Sequence, residues 1–340
     1  MVYVLPDPLP PLPGEALGSL ILRNAHAFGF QNPIRLFARV DLGPGRVRLA
    51  AIRQFDPGSI QGELVRQVLS LSIDEFVRMS SRLARDGRGW IMGKEVDPIH
   101  LSRDRRRYCP MCLAEGTPYH RAAWDLLALT ACPHHALLLQ NRCPDCGRLV
   151  IWSGTRIECC SVSRCAGDLR SAPQVTVPLS NTAGAREIWD RLDAREEQPF
   201  PVEGLTFGSW LVLAYAMGAL HAGILPGRRF RKSCDPWLLH NVLEVGFAII
   251  RGWPAAVHAD RDTGKDEAPF YSPQHRHYRI LYNLQYWMRQ QGKTCTVSAL
   301  SAAISRHLFK RPQLQSLEAR LCVRVPRHSP PRRSACEAEG

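Results

Sequence analysis

The chain has 340 residues, of which 45% are hydrophobic, enough for two or three modules that each bury a core. Its net charge of +13 favours a polyanionic partner, because Lys and Arg release counterions from phosphates, and DNA, RNA or an acidic membrane would each satisfy this. The proline-rich start, residues 1–13, lacks both the basic segment and the apolar run of a secretory signal, which argues against export and predicts a cytoplasmic protein.

The amino-terminal third shows helical spacing of apolar residues. The segment 15–28 has one apolar stripe, and Gly29 closes it. The segment 60–71 repeats the pattern, and Ser72 followed by Glu75 forms a capping box that opens the next helix. We predict two short helices joined by a tight turn. A helix-turn-helix is one interpretation of this pair, and a helical hairpin without DNA contacts, which is the commoner structure, is the other.

Basic residues follow this helix pair. Between residues 78 and 107 there are nine Lys or Arg and four Asp or Glu. Arg78 and Arg82 are expected to face outward from the second helix, together with Asp74 and Ser81. The run 105–107 leads directly into a cysteine pair, and we interpret it as a phosphate contact. The predicted DNA contacts are therefore Arg78, Arg82, Arg105, Arg106 and Arg107.

Eight of the twelve cysteines lie between residues 109 and 165, and in the reducing cytosol such crowding indicates metal binding rather than disulfides. Cys109 and Cys112 have the spacing of a zinc knuckle, and Cys132 and His135 repeat it after nineteen residues. His135 is preferred to His134 because it keeps the two-residue spacing. These four residues predict a closed tetrahedral site for structural zinc.

A second knuckle follows at Cys143 and Cys146, and Cys165 with either Cys160 or Cys159 completes a set of four thiols; we choose Cys160. The protein is thus expected to hold two zinc ions. Closed sites leave no position for water, and no phosphate-binding loop is intact, so we predict that it is not an enzyme. A zinc-scaffolded nuclease remains a rival interpretation, because scattered carboxylates show no linear pattern.

The carboxy-terminal half is also expected to be helical. Residues 204–227 contain no charged side chain, but glycines and polar residues interrupt them, which favours a buried helix over a membrane span. Further expectations are a helix over 182–193, a basic cluster at 228–232, a helix over 237–250, a linker at 253–269, a helix over 271–291, a second helix-turn-helix candidate around Thr296 and a disordered tail from 324.

Several motifs occur in a specific order. They are Arg107-Tyr-Cys-Pro-Met-Cys-Leu, Tyr119, Trp124, Cys132-Pro-His-His, Cys143-Pro-Asp-Cys-Gly and Cys165-Ala-Gly-Asp-Leu, preceded by Leu12-Pro-Gly-Glu15 with Ser19 and Arg23. This order resembles the TniQ/TnsD family of transposition proteins over about residues 8 to 170. The doubled Cys159-Cys160, four residues before Cys165, departs from the tight final pair that is common in the family.

The resemblance implies a mainly α-helical protein with small zinc-ribbon modules, an amino-terminal helix-turn-helix and a carboxy-terminal helical domain. The corresponding domains are 1–100, 101–172 and 173–325, with a tail over 326–340. Family members select the target site of a transposon and link it to a transposition ATPase and a transposase. Some read an attachment site in DNA, and others work with an RNA-guided CRISPR effector.

The predicted function is therefore that of a zinc-binding, DNA-associated adaptor for transposition. The alternative is a zinc-containing helix-turn-helix transcriptional regulator, which would use the same basic helices and need no transposase. No membrane partner is expected, and a homodimer is left open.

Overall fold

A computed structural model describes residues 4–252, except for 43–47, 85, 103, 154–155, 163, 166, 197, 202–204 and 223–234. Helices dominate this part of the chain, as predicted. They are α1 (Leu17–Ala27), α2 (Leu49–Ile52), α3 (Ile60–Val68), α4 (Ile73–Met79), α5 (Pro110–Ala114), α6 (Ala183–Asp193), α7 (Phe207–His221) and α8 (Pro236–Arg251).

Five short strands form two antiparallel sheets. The first contains β1 (Ser81–Leu83), β2 (Gly89–Ile91) and β3 (Lys94–Val96) in that order, and the second pairs β4 (Ala131–Cys132) with β5 (Leu137–Leu138). Met92 and Gly93, with φ of 50° and 81°, make the two-residue turn between β2 and β3. Positive φ at both positions matches the twist that such a hairpin requires.

The helix pair α3–α4 has the predicted start but not the predicted length. The side chain of Ser72 accepts from the backbone of Glu75, and the Glu75 carboxylate accepts from the backbone N–H of Ser72, so the capping box is present. However, α4 ends at Met79, and Ser81 and Arg82 lie in β1. The sequence expectation that they belong to the helix is wrong, because pairing with β2 supplies their backbone hydrogen bonds instead. A DNA-binding helix-turn-helix is not confirmed.

The pair α7–α8 forms the core of the carboxy-terminal part. Every side chain that the structure describes from Phe207 to Ala219 is buried, in agreement with the prediction of a buried helix. The helices cross closely, since a Cβ on Gly218 would lie 1.7 Å from the carbonyl oxygen of Val242. Gly208 is similarly close to the backbone of Glu95, which places α7 against β3. Within the described ranges, no helix is long and apolar enough to cross a bilayer.

Buried apolar residues from Leu5 to Ile250 belong to a single continuous core. The expected helices over 182–193 and 237–250 are present as α6 and α8. The basic cluster 228–232 and all features expected beyond residue 252 lie outside the described residues.

Candidate metal centres

The first four predicted ligands come together in space. The Nδ1 atom of His135 lies 3.6 Å from Cys109 Sγ, 3.3 Å from Cys112 Sγ and 3.6 Å from Cys132 Sγ, and the last two sulfurs are 3.6 Å apart. A tetrahedral zinc with bonds of about 2.3 Å to sulfur and 2.0–2.1 Å to nitrogen requires separations of about 3.5–3.8 Å between ligands. The arrangement could therefore hold a metal ion and is compatible with zinc.

Local backbone structure explains how these ligands converge. Cys109 is the N-cap of α5, Pro110 begins the helix, and Cys112 lies one turn further on. Cys132 ends β4, and the turn to β5 presents His135, with Ala136 in a left-handed conformation at φ 50°. The Ala136 N–H donates to the Cys132 carbonyl at 2.9 Å, which closes the turn. Three of the four ligands are buried, so this cluster is part of the core.

The other nitrogen of His135 has a carboxylate partner. Its Nε2 lies 2.8 Å from an oxygen of Glu115, the residue that directly follows α5. Such a contact keeps the proton on Nε2 and leaves Nδ1 free to bind metal. Sequence reasoning missed Glu115. A carboxylate three residues after Cys112 was the available signal, but spacing within one helix does not reveal a contact with a residue twenty positions away.

His134 is directed away from the cluster. Its ring packs edge-on against Trp189 of α6, with the ring centroids 4.9 Å apart. This placement agrees with the preference for His135 over His134.

The second cluster consists of Cys143, Cys146, Cys160 and Cys165. The sulfurs of Cys143 and Cys165 are 3.7 Å apart, as are those of Cys146 and Cys160. Cys159 is not one of these four residues, and its backbone pairs with that of Asp168. The geometry thus favours the chosen Cys160, and the Val162 N–H donates to its sulfur at 3.4 Å.

The two clusters differ in exposure. In the second cluster Cys146 is exposed and Cys165 half-buried, whereas Cys143 and Cys160 are buried. Gly167 permits this packing, since a Cβ there would lie 2.6 Å from Cys143 Sγ.

Two of the five predicted DNA contacts are buried. Arg106 is 1% exposed and donates to the carbonyl oxygen of Ile157. Arg107 is 7% exposed and donates to the carbonyls of Trp124, Leu126 and Leu129. Burial lowers the pKa of both guanidiniums to about 10, so they stay protonated at neutral pH. Guanidiniums enclosed in this way cannot reach a phosphate, and the expectation that Arg106 and Arg107 contact DNA is corrected.

The other three arginines remain accessible to different degrees. Arg78 donates to the Asp193 carboxylate at 3.2 Å, and Arg82 to the Asp56 carboxylate at 2.7 Å. Arg105 is exposed and has no acidic partner among the described residues. The run 105–107 therefore consists of one exposed and two buried arginines, and its backbone pairs with residues 150 and 151.

Comparison with known proteins identifies the amino-terminal part. Residues 8–139 match the sequence model of the TniQ family. The match supports assignment of this part of the chain to the TniQ family. The TniQ domain is associated with selection of transposition targets, and its family consists of non-catalytic adaptors that work with DNA and the transposition machinery. No curated protein matches the chain.

The TniQ match contains the first cluster in full and the second not at all. The TniQ match also contains the amino-terminal motif around Glu15, whose side chains form a buried polar network. The Glu15 carboxylate accepts hydrogen bonds from the Leu12 N–H at 3.0 Å, the Ser19 hydroxyl at 2.8 Å and Arg23 at 2.6 Å. Burial nevertheless raises the pKa of Glu15.

This network joins α1 to the segment between the two ligand pairs of the first cluster. The Ala16 N–H donates to the His120 carbonyl at 2.8 Å, and the His120 N–H donates to the Ser19 hydroxyl at 3.0 Å. The amino-terminal helix and the metal cluster of the TniQ domain are therefore parts of one folded unit.

A second buried network crosses the same domain. Asp125 contacts Arg53, which directly follows α2, and lies 3.1 Å from His120 Nε2. All three side chains are at most 2% exposed. Burial lowers the pKa of His120 to about 4, so its ring is neutral at physiological pH. Burial by itself would raise the pKa of Asp125, but the charge of Arg53 and the bond to His120 hold it below its usual value. The network fixes α2 against the metal-binding part.

Proposed function

We propose that this protein is a zinc-binding adaptor that selects target DNA for a transposon and links it to the transposition ATPase and transposase. The match of residues 8–139 to the TniQ family carries the proposal. The structure supports the proposal, because Ser19 of the family motif bonds both to Glu15 and to the backbone of His120. His120 lies between the two ligand pairs of the first cluster.

Zinc is the metal that the ligands favour. Three thiols with one imidazole, and four thiols, are the usual donor sets of structural zinc, and the ligand separations suit its tetrahedral geometry. The bound ions would cross-link distant segments and stabilise the fold. Both donor sets are complete, which supports a structural role without catalysis.

DNA contact is the less direct part of the proposal. Arg105 is exposed, and Arg78 and Arg82 lie beside the α3–α4 pair with carboxylates that a phosphate would have to displace. These three arginines are the remaining candidates for phosphate contacts. The second candidate function is that of a transcriptional regulator. The α3–α4 pair, which is directly followed by the three-stranded sheet, favours it.

A genetic and a biochemical experiment separate the two functions. If the protein is an adaptor, deleting its gene should reduce transposon insertion at the preferred target to background. The tagged protein should also copurify with the ATPase that the same transposon encodes. For a regulator, deletion should change transcript levels while the insertion pattern stays the same. A guide RNA that copurifies with the tagged protein would show that targeting uses a CRISPR effector. If no guide RNA copurifies and the protein binds the target DNA directly, the protein recognises the DNA itself.

Cell fractionation tests the proposed cytoplasmic location. We expect the tagged protein in the cytosolic fraction. Recovery only after detergent extraction of membranes, in a sample free of aggregates, would contradict this part of the proposal.

A further inference from the structure

A cavity of about 210 Å³ lies where the amino-terminal segment, the first metal cluster and α6 meet. Its apolar wall includes Ala123, Trp189 and Leu192, and Arg121, His134 and Asp193 also line it. Pockets for whole drug-sized molecules usually measure about 300–1,000 Å³. This cavity is smaller and suits one large side chain.

Arg121 is held rigidly at this cavity. Its guanidinium lies over the ring of Tyr119 at 4.8 Å and over that of Trp189 at 5.4 Å. Its backbone pairs with Glu15, and the next N–H, that of Ala122, donates to the Gly14 carbonyl at 2.8 Å. Both the backbone and the side chain of Arg121 are therefore fixed before any ligand arrives.

No protein acceptor satisfies this guanidinium. Within the described part of the chain, Arg121 is the only buried or half-buried arginine that donates no hydrogen bond, and its Nε is buried without a partner. The others, all of which have acceptors, are Arg23, Arg53, Arg66, Arg78, Arg82, Arg106, Arg107 and Arg191. The Nε atoms of Arg23 and Arg106 also lack a partner, but among the described arginines it is only at Arg121 that the whole guanidinium lacks an acceptor while its side chain lines a cavity. Because a donor without an acceptor is costly, this placement points to an external acceptor for the guanidinium.

The acidic side chain that lines the cavity is already engaged. The Asp193 carboxylate at the cavity accepts from Arg78 at 3.2 Å, and the same guanidinium bonds to the Asp193 carbonyl at 2.9 Å. The positive charge of Arg121 is thus left for a ligand.

We propose that this cavity binds an apolar side chain of a partner protein whose neighbouring carboxylate bonds to Arg121. The apolar wall accepts the side chain, and the uncompensated guanidinium selects the acid. Trp, Tyr and Arg are also the residues that most often supply binding energy at protein interfaces. The inference goes beyond the proposed adaptor role and does not depend on it, since any acidic partner would satisfy the site.

Two matched peptides test the proposal on the full-length, zinc-loaded protein. The acidic peptide Ac-Asp-Phe-Glu-NH2 should bind about tenfold more tightly than its neutral counterpart Ac-Asn-Phe-Gln-NH2, measured by saturation-transfer NMR, because one charge-assisted hydrogen bond has roughly that effect. Equal affinity of the two peptides, or no binding of either, would overturn the proposal.

Variants locate the site. Arg121→Gln should abolish the preference for the acidic peptide, and Trp189→Leu should weaken both peptides. Arg186→Gln, which removes an exposed charge from the same helix outside the cavity, should change neither. Should Arg121→Gln fail to fold, as judged by thermal melting, the peptide ratio with the wild-type protein and the Trp189→Leu result still decide. An unchanged peptide affinity in folded Trp189→Leu would contradict the assignment.

Adenosine monophosphate tests the rival ligand class. The protein should bind it more weakly than the acidic peptide. Tighter binding that is lost in Arg121→Gln would reassign the cavity to nucleic acid and overturn the protein-partner proposal.

Discussion

His135 is held on both sides, by three thiols near Nδ1 and by Glu115 at Nε2. The carboxylate does not bind the metal, yet it orients the ring and increases the basicity of the binding nitrogen. Glu115 is thus a positioning residue for the first cluster.

Substitution of Glu115 should therefore weaken metal binding without removing a ligand. We expect Glu115→Ala to lower zinc affinity by about 10- to 100-fold, measured by competition with a chelator, and Glu115→Gln to have a smaller effect. Asp104→Ala, which removes another exposed carboxylate, serves as the control. Equal zinc affinity of Glu115→Ala and wild type would show that the contact is incidental.

Arg105 and Arg107 are two residues apart but have different surroundings. Arg105→Ala should reduce the slope of log affinity for duplex DNA against log salt by about 0.9, the effect of one phosphate contact, with no change in stability. Arg107→Ala should leave this slope unchanged and reduce the free energy of unfolding by on the order of 3 kcal/mol, because it leaves buried carbonyls without donors. Salt titrations and denaturant melts measure the two effects. The reverse pattern would contradict the burial of Arg107.

At the scale of elements, the crossing of α7 and α8 depends on two glycines. A Cβ on Gly218 or Gly246 would lie 1.7 Å or 1.8 Å from a carbonyl oxygen of the facing helix, so the helices could not keep their spacing. The contact is backbone on backbone and has no flexible side chain to yield.

Alanine at either glycine should consequently destabilise the protein. We expect Gly218→Ala and Gly246→Ala each to lower the free energy of unfolding by about 1–3 kcal/mol, seen as a lower midpoint in urea. Gly58→Ala is the matched control, since an added Cβ there meets an atom only at 3.5 Å. If Gly218→Ala melts like the control, α7 and α8 do not cross at this distance.

At the scale of the whole molecule, the two clusters should respond differently to a chelator. The first is buried in the continuous core and is linked to α1, whereas Cys146 of the second is exposed. Elemental analysis should find two zinc ions, and a chelator should remove one readily and the other only with global unfolding. Tryptophan fluorescence recorded during zinc release measures this coupling. Release of both ions from a protein that keeps its native fluorescence would contradict it.

Charge is unevenly distributed along the chain. The described residues contain 23 Lys or Arg and 22 Asp or Glu, whereas the whole chain contains 44 and 31. Nearly all of the excess positive charge that would attract DNA therefore lies on residues outside the described ranges, including the cluster 228–232.

Neutralising this cluster should affect DNA binding more than changing Arg105. Replacing Arg228, Arg229, Arg231 and Lys232 by Gln should lower the salt slope by as much as about 3.6, against about 0.9 for Arg105→Ala. Zinc content should remain the same in both variants. A slope that depends on Arg105 alone would place the DNA contact in the TniQ domain instead.

The sequence alone determined the features that depend on local spacing. The two-residue knuckles at Cys109 and Cys143, the capping box at Ser72 and the helical stripe of α1 each involve residues within one turn, so a linear pattern shows them. The family motifs are of the same kind, and the TniQ match covers them as far as residue 139.

The tertiary structure decided whatever depends on a neighbour distant in the chain. It separated Cys160 from Cys159, ended α4 at Met79 because β2 pairs with the following residues, and brought Glu115 to His135. It also turned Arg106 and Arg107 inward, where backbone carbonyls from distant segments accept their protons. A run of basic residues in a sequence predicts an exposed surface, because charged side chains are favourably hydrated by water. Enough converging carbonyls can outweigh that preference, and only the folded chain shows where they converge.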